Sequence, residues 1–334
     1  MTKTALIIGA TGGIGGAVAR VLLAKGWSVR ALHRDPAKAA QTVQGLPGID
    51  WVKGDAMSRN DVVASAQGAQ IIMHGANPPG YKNWRGLAAP MLANTIEAAL
   101  LTGARILFPG TVYNYGPDAG TLVSEGAPQN PLTRKGKIRL HMEEMLRAAA
   151  EQFGVKSIVL RAGDYLGGPS NNTWFRAGMV KPGKPIRSVT YPGQRDTGHA
   201  FAYLPDLAEA FARLAEREHE LAEFETFHFG GQWCEQGVEI AHAVRRAVGN
   251  DRLPIRSFPW IAIYALAPFN ETFREMLEMR YLWKRPLRLD NRKLVAFLGG
   301  EPHTHLDEAV RATLSDLGCL GGGPVAGAMA AGLA

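Results

Sequence analysis

Three glycines, Gly9, Gly12 and Gly15, recur at every third position of "GATGGIGG", directly after the apolar run "KTALIIG" at 3–9. Without a Cβ, the N–H groups of such a turn can approach a pyrophosphate. A helix opening there adds aligned donors and the positive end of its dipole. The run before the glycines and the amphipathic stretch after them supply the strand–turn–helix context of a dinucleotide site. A second chemical cluster is "RKGKIRLHMEEML" at 134–146, with four cations, Arg134, Lys135, Lys137 and Arg139, in its first six residues. Lys135 and Arg139 stand at i and i+4 and share one helical face; a pairing of Arg139 with Glu143 one turn on is the solvated alternative.

The end of the second apolar run distinguishes between dinucleotides. An NAD site places an acid there for the ribose 2′-hydroxyl, whereas this chain reads "RALHRDP". Arg34, helped by Arg30 or His33, suits a 2′-phosphate, which favours NADP(H) over NAD(H). Asp35 directly precedes Pro36 and reads as an N-cap followed by the first helical residue. Asp55 in "KGDAMS" closes the third strand, where a carboxylate reaches an adenine amino group; a helix cap is the equal alternative.

The chain has 334 residues, 37 Lys and Arg against 30 Asp and Glu, and a net charge of +7. Its cations are scattered and lack aromatic interleaving, which argues against a nucleic-acid partner. Two cysteines, Cys234 and Cys319, lie far apart without metal-ligand spacing, pointing to a reducing compartment and to no metal site. No signal-peptide pattern opens the chain. The longest apolar run, "FPWIAIYALAP" at 258–268, is too short for a bilayer and reads as a buried helix or a pocket wall. These features predict a cytoplasmic protein without a membrane partner.

The elements that must hold these residues alternate. Strands are expected at 3–9, 27–32, 49–54, 69–75, 104–110 and 156–163. Helices fill the gaps, the longest around Trp84–Leu101 and Ile138–Phe153. This rhythm predicts an α/β fold of Rossmann type, a doubly wound parallel sheet. Residues 164–200, rich in Gly, Pro, Asn and Thr, read as a long loop region with one or two short strands. "LPDLAEAFARLAERE" at 204–218 restores a helix with Asp206 as its N-cap, and the chain beyond Gln236 is mostly helical. The tail 321–334 has no periodic apolar face and is expected to be disordered.

In this order, "GATGGIGG", "GDAMSRNDV", "HGANPP", "ILFPGTVYNYGP", "LPDLAEA" and "LRLDNRKLVAFLGGEPHTHLDEAVRATL" resemble the extended short-chain dehydrogenase/reductases, the NAD-dependent epimerase/dehydratase-like branch, over residues 3 to about 317. The resemblance implies a Rossmann domain at 1–163, to which 200–230 returns. It also implies a smaller, mainly helical substrate lobe at 164–199 and 231–320, and a homodimer as the usual assembly. The cofactor residues it implies are Gly9, Thr11, Gly12, Gly13, Ile14 and Gly15, then His33, Arg34, Asp55 and Ala56, then Gly75, Ala76 and Asn77. Around the substrate it implies Tyr113, Tyr165, Asn172 and His199, in and near "AGDYLGGPSNNTWF" and "YPGQRDTGHAFAYLPD".

The family's chemistry uses a Ser or Thr after the fifth strand and a Tyr-x-x-x-Lys pair on the next helix to move a proton while hydride moves. Matching the motifs places Thr111 at the hydroxyl, Lys135 at the tyrosine and Arg139 at the lysine. Three readings stay open. Lys135, with its pKa lowered by neighbouring positive charge, donates the proton while Arg139 binds the cofactor ribose or a substrate anion. Alternatively both cations bind the cofactor or a small, anionic substrate, and Tyr165 or His199 is the acid. Otherwise catalysis is lost and the chain senses the NADP redox state. The expected activity is NADPH-dependent hydride transfer to a small carbonyl, with a nucleotide-sugar epimerase or dehydratase as the alternative.

Overall fold

The computed structural model describes residues 2–43, 47–78, 83–168 and 173–320; Asn172 and the tail 321–334 lie outside the described residues. The chain runs through β1 (Thr4–Ile8), α1 (Gly13–Ala24), β2 (Ser28–His33), α2 (Pro36–Thr42), β3 (Ile49–Lys53), α3 (Arg59–Ala66), β4 (Ile71–His74), α4 (Trp84–Thr102) and β5 (Arg105–Thr111). It continues through β6 (Leu122–Val123), α5 (Arg134–Phe153), β7 (Ser157–Ala162), β8 (Asp164–Leu166), β9 (Val189–Tyr191), β10 (His199–Tyr203), α6 (Leu204–Glu216) and β11 (Phe224–His228). Then come β12 (Gln232–Cys234), α7 (Glu239–Val248), β13 (Ile255–Ser257), α8 (Trp260–Leu266), α9 (Glu271–Glu278), β14 (Arg288–Leu289), α10 (Arg292–Leu298) and α11 (Leu306–Asp316).

Seven parallel strands form one sheet in the order β11-β7-β5-β4-β1-β2-β3. Helices cover both faces, so the central strands β1 and β4 are almost wholly apolar, while β2 and β3 toward one edge keep polar residues such as Arg30 and Asp50. In β1, Ala5 and Ile7 pack toward α1 and α6, while Leu6 and Ile8 pack toward α3, α4 and α5. The strand order reverses between β4 and β1, and the crevice beyond those strand ends is where such sheets bind ligands.

A second core lies over that crevice, built from Phe175, Tyr191, Phe201, Val244, Trp283 and Val310 among others. It contains the three-stranded sheet β12-β10-β8 and the pair β13-β9. Residues 200–230 do double duty. His199 to Tyr203 joins this smaller sheet, whereas α6 packs on α1 and β11 extends the large sheet beside β7.

Three local expectations are corrected. Helix α5 starts at Arg134, not Ile138, because Thr133 Oγ1 accepts the Gly136 N–H and caps it. The basic stretch therefore forms the first turns of the helix. Asp206 does not cap α6: Tyr203 holds that position, and the Asp206 carboxylate accepts bonds from Thr304 N–H and Oγ1–H instead. The run 258–268 is not a buried helix. α8 turns Trp260 and Ile263 inward but leaves Ile261 88% and Tyr264 52% exposed. No helix among the described residues is long and apolar enough to cross a membrane, and no group of three or more His, Cys, Asp or Glu there is arranged to hold a metal.

Candidate active site

A cavity of about 650 Å³ opens beyond the C-terminal ends of β1, β2, β4, β5 and β7. One end is made mostly of backbone. Gly9, at φ +95°, sits where an L side chain is strained, and a Cβ on it would lie 2.7 Å from the Gly75 carbonyl. A Cβ on Gly15 would lie 2.3 Å from Gly9 O. The turn is thus a cradle that a Cβ would fill, and it opens α1 with its free N–H groups toward the cavity, which fits a dinucleotide pyrophosphate. Thr11, Gly12, Gly13 and Ile14 line the cavity here, as do Gly75, Ala76 and Asn77; Gly15 stands behind them as the spacer.

Farther along the same end, His33, Arg34, Asp55 and Ala56 also line the cavity. The Asp35 carboxylate turns away to accept the Lys38 N–H as the cap of α2, as its place before Pro36 predicts. Arg30 does not assist Arg34: its guanidinium pairs with Asp50 and donates to the carbonyls of Ser65 and Gln67. Asp55 is not the cap of α3, since Ser58 performs that role. Its Oδ1 accepts the Met57 N–H at 2.9 Å, closing a tight turn at the cavity wall.

The other end is made of side chains. Thr111 closes β5, and its Oγ1 accepts the Tyr113 N–H at 3.2 Å, which leaves the hydroxyl proton free to be donated to a substrate oxygen. Arg139 reaches the cavity from α5. Its guanidinium donates to Asn77 Oδ1 at 3.1 Å and to Pro109 O at 3.3 Å, and lies over the rings of Trp84 and Phe108. Tyr113, Asp164, Tyr165 and Trp174 complete this wall. Burial pushes the Tyr165 phenol up to about 12, so it stays protonated near neutral pH and acts as a hydrogen-bond donor.

Lys135 is not brought to the cavity wall, contrary to its expected position. It is 2% exposed, and its Nζ lies 3.4 Å from the Glu275 carboxylate of α9 and 5.7 Å from the Trp84 ring centre. Burial brings its pKa down to about 8, against the opposing attraction of Glu275. Arg139 does not pair with Glu143 either. Glu143 turns to Arg161 of β7 at 2.6 Å, both nearly inaccessible to solvent. Arg161 also donates to Tyr115 Oη at 2.8 Å. His228 Nδ1–H is given to Val123 O, so Nε2 accepts the Tyr115 O–H at 2.9 Å. Burial holds His228 neutral, down at about 3, and pushes Tyr115 up to about 12. This sealed network fixes α5 and the loop after β5 to the sheet.

His199 lines the cavity only indirectly: its Nε2 donates to Asp164 Oδ2 at 2.8 Å, and Asp164 is the one on the wall. Three participants escaped the sequence. His74 ends β4, with Nδ1–H on Thr95 Oγ1, whose own proton goes to Met91 O; burial pushes it down to about 3. A polar residue closing the apolar run "IIMHG" was the available signal. Trp84 and Glu275 carried none, since both depend on how α4 and α9 pack against α5.

Comparisons with known proteins agree with this geometry. A model of the NAD dependent epimerase/dehydratase family matches residues 5–230. The chain is 30% identical over 169 residues to the dTDP-6-deoxy-L-talose 4-dehydrogenase (NAD(P)(+)) of Kitasatospora kifunensis. That match covers 48% of this chain and 52% of the relative, so it spans about half the length of the curated relative. Among solved structures, UDP-glucose 4-epimerase from Brucella ovis in complex with NAD is similar with a TM-score of 0.73 at 17% identity, over 93% of this chain and 97% of that one. DesIV, the dTDP-glucose 4,6-dehydratase from Streptomyces venezuelae with NAD and TYD bound, gives 0.71 at 17% identity, over 93% and 95%. At such identities the structural likeness concerns the fold.

Proposed function

The chain belongs to the NAD-dependent epimerase/dehydratase family, and on that premise we propose that it is an NADP(H)-dependent oxidoreductase acting on a small carbonyl or alcohol. The observation that carries this reading is one cavity that joins the glycine cradle to Thr111 and Arg139. The nicotinamide, when bound, supplies or accepts the hydride. Gly9 to Ile14 would hold the pyrophosphate, and Arg34 the 2′-phosphate, with no carboxylate paired to it among the described residues. Arg139 would take the ribose hydroxyls, in the place the family gives to lysine. Thr111 Oγ–H would hold the substrate oxygen and polarise the carbonyl.

Apart from Thr111, Asp164 and Thr173, the substrate half of the wall is aromatic and apolar, with Trp84, Leu87, Tyr113, Tyr165 and Trp174, and Arg139 is its one cation among the described residues. This supports a compact substrate with little charge over an anionic one. The similarity to a dTDP-sugar dehydrogenase supports a nucleotide-sugar substrate as the second reading. The test is a fluorescence titration with NADPH and NADH, followed by NADPH oxidation with uncharged aldehydes and ketones and with nucleotide sugars in parallel. NADPH bound more tightly than NADH, and turnover with uncharged carbonyls, is expected. Tighter NADH binding overturns the Arg34 assignment, and turnover of nucleotide sugars alone overturns the substrate assignment.

A further inference from the structure

A hydride-transferring site must also move a proton, and neither position of the family's usual pair faces the substrate as an acid here. Lys135 is turned to Glu275, and a guanidinium such as Arg139 cannot be deprotonated. Resting on the hydride-transfer reading above, we propose that Asp164, backed by His199, is the group that exchanges the proton with the substrate oxygen.

The geometry is that of a built pair. Asp164 begins β8 two residues after Ala162, the partner of Thr111 at the end of the β5–β7 ladder, so both residues lie at the C-terminal ends of neighbouring strands of the large sheet or just beyond them. Both residues line the cavity. Val112, next to Thr111, bounds the same void of about 10 Å³ as Asp164 and His199. His199 occupies Asp164 Oδ2 at 2.8 Å, and Oδ1 has no hydrogen-bond partner among the described residues. The two side chains are 10% and 7% exposed, so Asp164 meets solvent only through the cavity. The imidazole cannot swing away easily: it lies flat on Trp283, ring centres 3.9 Å apart and planes at 8°, with Phe201 at 4.8 Å. Its strand, β10, runs parallel to β8 with Phe201 opposite Asp164, which sets the distance between the two groups.

The pair holds one transferable proton. In reduction the carbonyl carbon gains the hydride, the π pair moves to oxygen, and that oxygen takes the proton from Asp164. Solvent then supplies a proton to His199 Nδ1, and the imidazolium so formed passes its Nε2 proton to the carboxylate, which resets the pair. In oxidation Asp164 takes the hydroxyl proton and the sequence reverses. Asp164 is thus catalytic and His199 a positioning residue that acts through it.

Steady-state NADPH oxidation with 4-nitrobenzaldehyde and a set of uncharged ketones tests the assignment, on wild type, Asp164→Asn, Asp164→Ala, His199→Phe and Tyr113→Phe. Asp164→Asn should lower kcat by about 10²-fold or more, the scale of a lost general acid, with KM for NADPH unchanged. His199→Phe should lower kcat less, again without moving KM for NADPH. Formate should restore part of the turnover of Asp164→Ala, a response that a merely structural pair would not give. Wild-type turnover matched by Asp164→Asn, or lost in Tyr113→Phe but not in Asp164→Asn, overturns the Asp164 role while leaving hydride transfer standing. No NADPH oxidation by the wild type across the set overturns the hydride-transfer reading, and the Asp164 role with it.

Discussion

The two ends of the cavity are built from different materials. At the end proposed for the cofactor the wall is mostly backbone: a glycine at φ +95°, a helix N-terminus, and a turn too tight for a Cβ at Gly9 or Gly15. At the other end the wall is made of side chains, Thr111, Arg139, Asp164 and Tyr165, several of them oriented by buried neighbours rather than by the chain itself. A backbone cradle leaves few sequences that can form it, so it keeps its motif. A side-chain wall can exchange one residue type for another as long as a partner holds the new group. Here the Lys135 ammonium is held by Glu275 away from the cavity wall, while the Asp164 carboxylate on the wall is held by His199.

The largest effect should come from the support beneath the substrate end. Glu143→Ala leaves the Arg161 guanidinium buried and unpaired, which costs about 3–5 kcal/mol. Urea denaturation should show that loss, and a change under 1 kcal/mol would mean the network is not what fixes α5. At the cofactor end, Gly15→Val forces a side chain against Gly9 O, at a cost of about 1–3 kcal/mol. NADPH affinity measured by fluorescence should fall, with the fold retained by circular dichroism; unaltered affinity would show that the cradle is not the pyrophosphate site. Arg34→Ala should cost NADPH about 1.5–3 kcal/mol of binding, the value of a charged hydrogen bond, and leave NADH nearly untouched. Equal losses for both cofactors would place Arg34 away from the 2′-phosphate.

A further effect, read from pH, concerns Lys135. Its folded-state pKa of about 8 lies below the ordinary 10.5. Between these values the unfolded chain binds more protons, so stability rises with pH. The cost of the buried ammonium is carried in full below about pH 8 and is relieved as pH climbs toward about 10.5. Unfolding free energies across that window should rise by about 1–3 kcal/mol more in wild type than in Lys135→Met; parallel curves would contradict the burial of this ammonium.

The same contrast explains what could be read from the sequence. Apolar runs bounded by turn residues located each strand of the large sheet from β1 to β7 within two residues, because strands buried in the middle of such a sheet are mostly apolar. Gly9, Gly12 and Gly15 were legible because their spacing is itself the constraint. Asp35 before Pro36 was legible for the same local reason. The boundary of α5 was not, since its cap is a single Thr133 hydroxyl ahead of a cation-rich stretch. Lys135 and Arg139 were rightly placed on one helix, but their partners Glu275 and Asn77 lie far off in the chain. His199 was noticed without Asp164 as its partner, because only the parallel pairing of β8 with β10 brings them together. The exposure of α8 was missed because an apolar composition does not show which faces find a neighbour.

The central claim is that this cavity moves hydride between NADP(H) and a small carbonyl. It is tested most directly by incubating the protein with NADPH deuterated at nicotinamide C4 and the uncharged carbonyl set, then locating the label by mass spectrometry. One deuterium on the former carbonyl carbon of an alcohol product is the predicted result. Tight NADPH binding with no label transferred to any carbonyl would contradict it, and would leave a chain that reads the redox state of its cofactor without changing it.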